Sequence, residues 1–366
     1  MTLTIPAAIK PRDGRFGSGP SRVPPEAVQA LAGPGSVLGT SHRQAPVKDL
    51  VARVQANLAA LYSVPDDYQV VLGNGGSTQF WDIATCCLID HRSAHGVWGE
   101  FGRKFADAVA AAPFLDDPAL ADAPLGQVAE MTPQAGCDVY AWPQNETSTG
   151  ACAPIARIAP DALMLVDATS AAGGMAADIA ATDAYYFAPQ KNLASDGGLW
   201  VAFCSPAALE RAARVQAGRW VPPSLDLTLA AKNSAQHQTV NTPALATLQL
   251  MDAQVTWLLE NGGIGFAVAR TAASSGALYD WAAARDFVRP FVADPAHRSP
   301  VVVTLVFDEA VDAAALTSTM RANGIVDIEP YRSAGPNQIR VGCYAAVDPA
   351  DVQALIACLD WVIERQ

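Results

Sequence analysis

Lys191 and Asp167 are the residues whose type and place could carry chemistry. Lys191 follows the apolar start of "YYFAPQKNLASDGGLW" (185–200), and Asp167 closes the apolar run in "ALMLVDAT" (162–169). A lysine in such a loop is ordinarily solvated, because burying an ammonium is costly, and a strand-end aspartate ordinarily caps the next turn. A third stretch, Gly73-Asn74-Gly75-Gly76-Ser77-Thr78, leaves the apolar "VVL" and enters a helix pattern. It offers backbone N–H groups and two hydroxyls to an anion at a helix N-terminus, a phosphate cup without the lysine of a P-loop. Each feature alone is weak, since a glycine turn can be purely steric. Together they match one cofactor. Pyridoxal phosphate needs a lysine to hold its aldehyde as a Schiff base, a carboxylate to keep its pyridine nitrogen protonated, and a phosphate site.

These groups can meet only if the strand ends lie side by side. Apolar runs of strand length alternate with helix-period stretches to about residue 260, the signature of an α/β domain with a mostly parallel sheet. In such sheets ligands bind beyond the carboxyl ends of the strands. The residues placed there are polar: the glycine cup, Asn145-Glu146-Thr147 after "VYAWPQ", Asp167, and Gln190 with Lys191. The spacing of Val47, Leu50, Val51, Val54, Leu58 and Leu61 predicts one apolar helix face. Thr242 and Pro243 read as N-cap and first residue of a helix that stops at Asn261-Gly262-Gly263. That stop predicts a boundary: a large domain over 16–262, a small α+β domain over 263–366, and an N-terminal arm over 1–15. In the small domain, "PVVVTLVF", "DIEPY" and "QIRVGCY" read as strands, and Asp348-Pro349 opens a last helix with Val352, Leu355, Ile356, Leu359 and Ile363 on one face.

Composition narrows the class. Of 366 residues, 51% are hydrophobic and 16% charged, which fits a well-packed globular chain and excludes disorder. No apolar run approaches the ~20 residues of a membrane helix and the N-terminus lacks a signal-peptide pattern, so a soluble, cytoplasmic protein is expected. Seven scattered cysteines form neither a disulfide framework nor a zinc pattern, and no metal site is expected. The formal charge of −12 argues against nucleic acid and anionic membranes as partners. Any attraction for a small anion must then come from local arginines and histidines.

Seven stretches in order, "GTSHRQAP", "GNGGSTQFWD", "QNETSTG", "LVDATSAAGG", "APQKN", "VNTPAL" and "YRSAGPNQIRVG", resemble the phosphoserine aminotransferase branch of the fold-type I, class V aminotransferases, from about residue 15 to 345. The resemblance implies a large domain with a mostly parallel seven-stranded sheet, and pyridoxal 5'-phosphate as cofactor. Lys191 would be the Schiff-base lysine and Asp167 the partner of the pyridinium nitrogen. Thr147 would sit at the ring oxygen, with Gly76, Ser77, Thr78, Thr169 or Ser170, and Gln190 at the ring or phosphate. Phe101 would stack on the ring, with Trp98 as the other candidate. Asn241 and Thr242 would reach the phosphate from the neighbouring subunit. Arg340 would grip the substrate α-carboxylate, while Arg332 and the partner chain's His42-Arg43 pair would hold the substrate phosphate. The sequence departs from the family pattern by the longer spacing from Arg332 to Arg340 and by Tyr331 where histidine is common.

The implied activity is transfer of the amino group between glutamate and 3-phosphooxypyruvate, giving 2-oxoglutarate and 3-phosphoserine, in a homodimer with shared sites. Serine biosynthesis is the setting, and 4-phosphohydroxythreonine in pyridoxine biosynthesis is a second substrate compatible with the same site. Other class V aminotransferases, acting on alanine, serine or glyoxylate, would leave Arg43 and Arg332 nothing to bind. A desulfurase-type lyase typically has histidine before the lysine, where this chain has Gln190. A protein that only binds the cofactor or a phosphorylated ligand would not need both Lys191 and Asp167.

Overall fold

The computed structural model describes residues 3–332, 335 and 337–365. Its strands are β1 (Gln69–Gly75), β2 (Ser93–Val97), β3 (Ala119–Asp122), β4 (Val139–Pro143), β5 (Asn145–Glu146), β6 (Ala151–Cys152), β7 (Leu163–Asp167), β8 (Ala184–Phe187), β9 (Gly198–Cys204), β10 (Val288–Pro290), β11 (Val302–Phe307) and β12 (Gln338–Gly342). Seven of them form one sheet in the order β1-β9-β8-β7-β4-β2-β3. Only β9 runs against the others, pairing antiparallel with both β1 and β8. The carboxyl ends of β1, β2, β4, β7 and β8 therefore share one edge.

Side-chain alternation explains why both faces of this sheet are covered. Tyr140, Trp142, Met164, Val166, Tyr185, Phe187, Val201 and Phe203 point to one face and pack with the helices Ala45–Tyr62 and Leu245–Glu260. Val139, Ala141, Leu163, Leu165, Tyr186, Trp200 and Ala202 point to the other, against the helices Ser77–Cys87, Glu100–Ala110, Pro206–Gly218 and Leu227–Ser234. Burial on both sides is what continuously apolar strands require. All six residues of the expected face on Ala45–Tyr62 are buried.

A separate core lies under the three-stranded antiparallel sheet β10-β11-β12 and the helices Gly263–Ala283, Ala313–Ala322 and Pro349–Ile363. Ile5 and Phe16 from the chain start are buried in it. Asp348 caps the last helix through the Ala350 N–H, with Pro349 in its first turn. Val352, Leu355 and Leu359 are buried there, whereas Ile356 and Ile363 are only partly covered.

Two local expectations fail for identifiable reasons. "DIEPY" is not a strand: Asp327 has φ +65°, which breaks an extended run just after the Val326–Arg15 bridge, and within the segment the Ile328 carbonyl accepts from the Arg340 N–H. Thr242 is not an N-cap either. Its hydroxyl bonds His42 Nδ1 at 3.0 Å, and the helix begins at Leu245 with no side-chain cap. Among the described residues, no helix is long and apolar enough to cross a membrane, and no cluster of His, Cys, Asp and Glu could hold a metal.

Gly102 sets how closely the helix Glu100–Ala110 approaches β2, because a Cβ there would lie 2.5 Å from the Gly96 carbonyl oxygen. Glycine to alanine in a helix ordinarily gains about 1 kcal/mol, but forcing a methyl against backbone costs about 1–3 kcal/mol. Gly102→Ala should therefore destabilise the protein, read as a lower urea midpoint. A higher midpoint would mean that the helix can slide away from the sheet.

Candidate active site

Lys191 follows the turn after β8 and is only 9% exposed. Its Nζ donates to the Ser18 carbonyl oxygen at 2.6 Å. Burial, and next the Arg340 guanidinium, pull the amine from its ordinary 10.5 down to about 7, while the Asp167 and Glu146 carboxylates oppose that shift. Near neutral pH a large share of the amine is thus unprotonated and able to act as nucleophile or base. Gly19 makes room for it, since a Cβ at that position would sit 1.8 Å from Nζ.

Asp167 ends β7, beside β8. Its Oδ1 accepts from the Thr169 N–H at 2.9 Å and the Thr169 hydroxyl at 2.5 Å, and its Oδ2 accepts from Trp81 Nε1 at 3.3 Å. Burial raises its pKa, and these donors work against the rise. Thr169 Oγ1 also meets Ser77 Oγ at 2.5 Å, so the carboxylate is tied to the start of the helix Ser77–Cys87. That start has no side-chain cap.

One cavity of about 190 Å³ collects Gly76, Ser77, Thr78, Phe101, Thr147, Asp167, Thr169, Gln190 and Lys191, together with Trp81, Pro143 and Asn145. Trp98 is fully buried in the core and does not line it. Phe101 is fixed through its backbone: the buried Glu146 accepts from the Phe101 and Gly102 N–H groups with one oxygen and from Ser148 N–H and Oγ with the other. Thr147 Oγ1 and Asn145 Nδ2 both donate to Ser170 Oγ at 2.8 Å. A larger groove of about 610 Å³ lies elsewhere, between the chain start and Leu250–Trp257, but its Arg12, Arg22 and Arg270 are engaged with Asp13, Asp348 and Asp351.

The donor set of the small cavity fits pyridoxal phosphate. The uncapped helix start offers N–H groups to an anion, a carboxylate and a lysine face the same space, and the buried Gln190 Oε1 and Asn145 Oδ1 are acceptors without a partner, open to a donor on the bound group.

The substrate-binding candidates divide. Arg340, on β12, donates from Nη1 to the Thr147 carbonyl at 2.8 Å and lies 5.1 Å from the Tyr331 ring centre, and its buried Nε has no partner. It therefore borders the cavity through Thr147. His42, Arg43, Asn241 and Thr242 form a different group. Arg43 Nη1 donates to Gln238 Oε1 at 2.6 Å, and the Thr242 carbonyl accepts from Asn74 Nδ2 at 2.8 Å. None of the four lines the cavity of their own chain, and Arg43, Asn241 and Thr242 are exposed. Arg332 is exposed too. Part of the loop after it, residues 333, 334 and 336, lies outside the described residues.

Sequence reasoning missed Trp81, although it stands one helical turn after Ser77 and so on the same face. It also missed Ser18, Gly19 and Tyr344, for which no local signal exists.

The family model described as "Aminotransferase class-V" matches residues 16–355. A protein from Mycobacterium sp. (strain KMS) is 58% identical over 366 residues, covering 99% of each chain. The phosphoserine aminotransferase of a Nocardioides species is 54% identical over 369 residues, again covering 99% of each. In fold, the crystal structure of a phosphoserine aminotransferase from Cytophaga hutchinsonii superposes with TM-score 0.87 at 20% identity, over 95% of this chain and 99% of that one. The cavity built around Lys191 and Asp167 thus lies in a chain that, by the family model and by full-length relatives, belongs to the class V aminotransferases, and pyridoxal phosphate is its cofactor.

Proposed function

We propose that this chain is a phosphoserine aminotransferase, moving the amino group between glutamate and 3-phosphooxypyruvate to give 2-oxoglutarate and 3-phosphoserine. The observation that carries this is the buried Lys191 amine sharing one cavity with Asp167 and an uncapped helix start, beside the Arg340 guanidinium. The name of the Nocardioides relative supports the substrate.

When bound, pyridoxal phosphate supplies an aldehyde that takes up amines and a protonated ring that draws electrons from the substrate α-carbon. Asp167, held by Thr169 and Trp81, keeps the proton on the ring nitrogen. Ser77, Thr78, Gly76 and Gln190 hold the phosphate, Thr147 serves the ring oxygen and Phe101 covers a ring face. Lys191, once free and neutral, would take the proton from the substrate α-carbon onto Nζ and hold it there for return as an acid. Arg340 grips the α-carboxylate, for which its unpartnered Nε supports a bidentate geometry. Glutamate and phosphoserine each carry a second anionic end. Arg332, with His42-Arg43 of a second subunit, holds that end, while Asn241 and Thr242 of the same subunit complete the cofactor's phosphate site. The exposure of Arg43, Asn241 and Thr242, grouped away from their own cavity, supports a homodimer with shared sites.

In stopped-flow half-reactions, phosphoserine should convert the bound cofactor at least ~100-fold faster than alanine, because alanine leaves the distal cations unpaired. Equal rates would assign the chain to another class V substrate. A second expectation concerns sharing. Mixing Arg43→Ala and Lys191→Ala chains should restore about a quarter of wild-type activity, since random exchange makes half the dimers mixed and each has one intact site. No recovery, with mixed dimers seen by native mass spectrometry, would place Arg43 at the site of its own Lys191.

A further inference from the structure

The Ser18 carbonyl oxygen accepts two hydrogen bonds, one from Lys191 Nζ and one from the Tyr344 hydroxyl, each at 2.6 Å. The segment carrying it is held at both ends. Gly342 N–H donates to the Phe16 carbonyl, and Ser21 N–H to the Gln190 carbonyl, each at 2.8 Å. Tyr344 is fully buried two residues beyond β12, the strand that bears Arg340.

We propose that Tyr344 is a positioning residue for the lysine: by holding the Ser18 carbonyl, its hydroxyl sets where the Lys191 amine rests when it is not joined to the cofactor. A carbonyl has two lone pairs, and here each is taken, so the amine has one fixed direction of approach. The shared carbonyl is also a weaker acceptor for each donor than it would be for one alone. The charged groups around the amine come from three other elements: Arg340 on β12, Asp167 on β7 and Glu146 on β5. None of them is hydrogen-bonded to Ser18; Tyr344 also faces the Arg340 guanidinium electrostatically, so the shared carbonyl is its direct route to the lysine and Arg340 an indirect one. The arrangement matters for transamination because the lysine is released and recaptured in every cycle. The inference rests on Lys191 being the cofactor's lysine.

The test uses the full chain stripped of cofactor. Pyridoxal phosphate is added at pH 5.5 to 9.5, borohydride quenches at timed intervals, and mass spectrometry locates the adduct. The amine adds to the aldehyde and expels water, and hydride from borohydride fixes the bond. Only unprotonated Lys191 reacts, so the rate against pH gives the amine's midpoint. Tyr344→Phe leaves the carbonyl to Lys191 alone, which favours the ammonium and should raise the midpoint by about half a pH unit or more. Gly19→Ala pushes the amine off the carbonyl and should lower it, which checks that the carbonyl holds the amine; replacing Tyr344 with 3-fluorotyrosine, a stronger donor of the same shape, should also lower it and decides the matter if Tyr344→Phe does not fold. Capture on Lys191 with the wild-type midpoint in the folded variants, whatever their melting temperatures, would reduce Tyr344 to a packing residue. Capture on a different lysine would instead overturn the assignment of Lys191.

Discussion

An ammonium that leaves water gives up several kcal/mol of hydration unless a charge or a set of acceptors replaces it. The Lys191 amine is buried with one backbone carbonyl as acceptor and a guanidinium nearby. Its neutral form is therefore the one the fold favours, and the remaining features of the site follow from that constraint. Carboxylates that could restore the charge are themselves committed. Asp167 is taken up by Thr169 and Trp81, and Glu146 by four donors around Phe101 and Ser148.

Parallel strands make this arrangement inexpensive to build. β7 and β8 are hydrogen-bonded neighbours, so the acid that ends one and the lysine that follows the other reach the same edge without long loops. The helix after β1 brings its open N-terminus to that edge, as βα units do. What surrounds the Lys191 amine comes from far away in the chain: Ser18 and Gly19 from the start and Arg340 with Tyr344 from the end. A fold whose two ends meet over its sheet edge can place a guanidinium and a carbonyl where local sequence offers neither.

Legibility followed the range of the interaction. The helix face from Val47 to Leu61, the strands ending at Asp167 and before Lys191, and the glycine turn into Ser77 were readable because period and turn chemistry act over a few residues. Thr242-Pro243 misled because a short local pattern cannot show that His42, 200 residues away, takes the hydroxyl. "DIEPY" misled because its apolar spacing hides a left-handed Asp327. The Ser18 contacts join residues 173 and 326 positions apart, and neither Ser18 nor Tyr344 stands out by type.

The claim that the fold disfavours a charged Lys191 has a thermodynamic signature in the cofactor-free protein. The amine's folded value of about 7 lies below its ordinary 10.5. Between those values the unfolded chain keeps the proton and the folded chain gives it up, so stability rises with pH; the cost is full below about 7 and disappears near 10.5. Lys191→Met, similar in volume and uncharged, removes that cost. The urea midpoint of the variant should exceed that of wild type by its widest margin at pH 6 to 7, with the margin closing by pH 10. A margin that stays constant across this range, or a variant less stable at pH 6, would contradict the account.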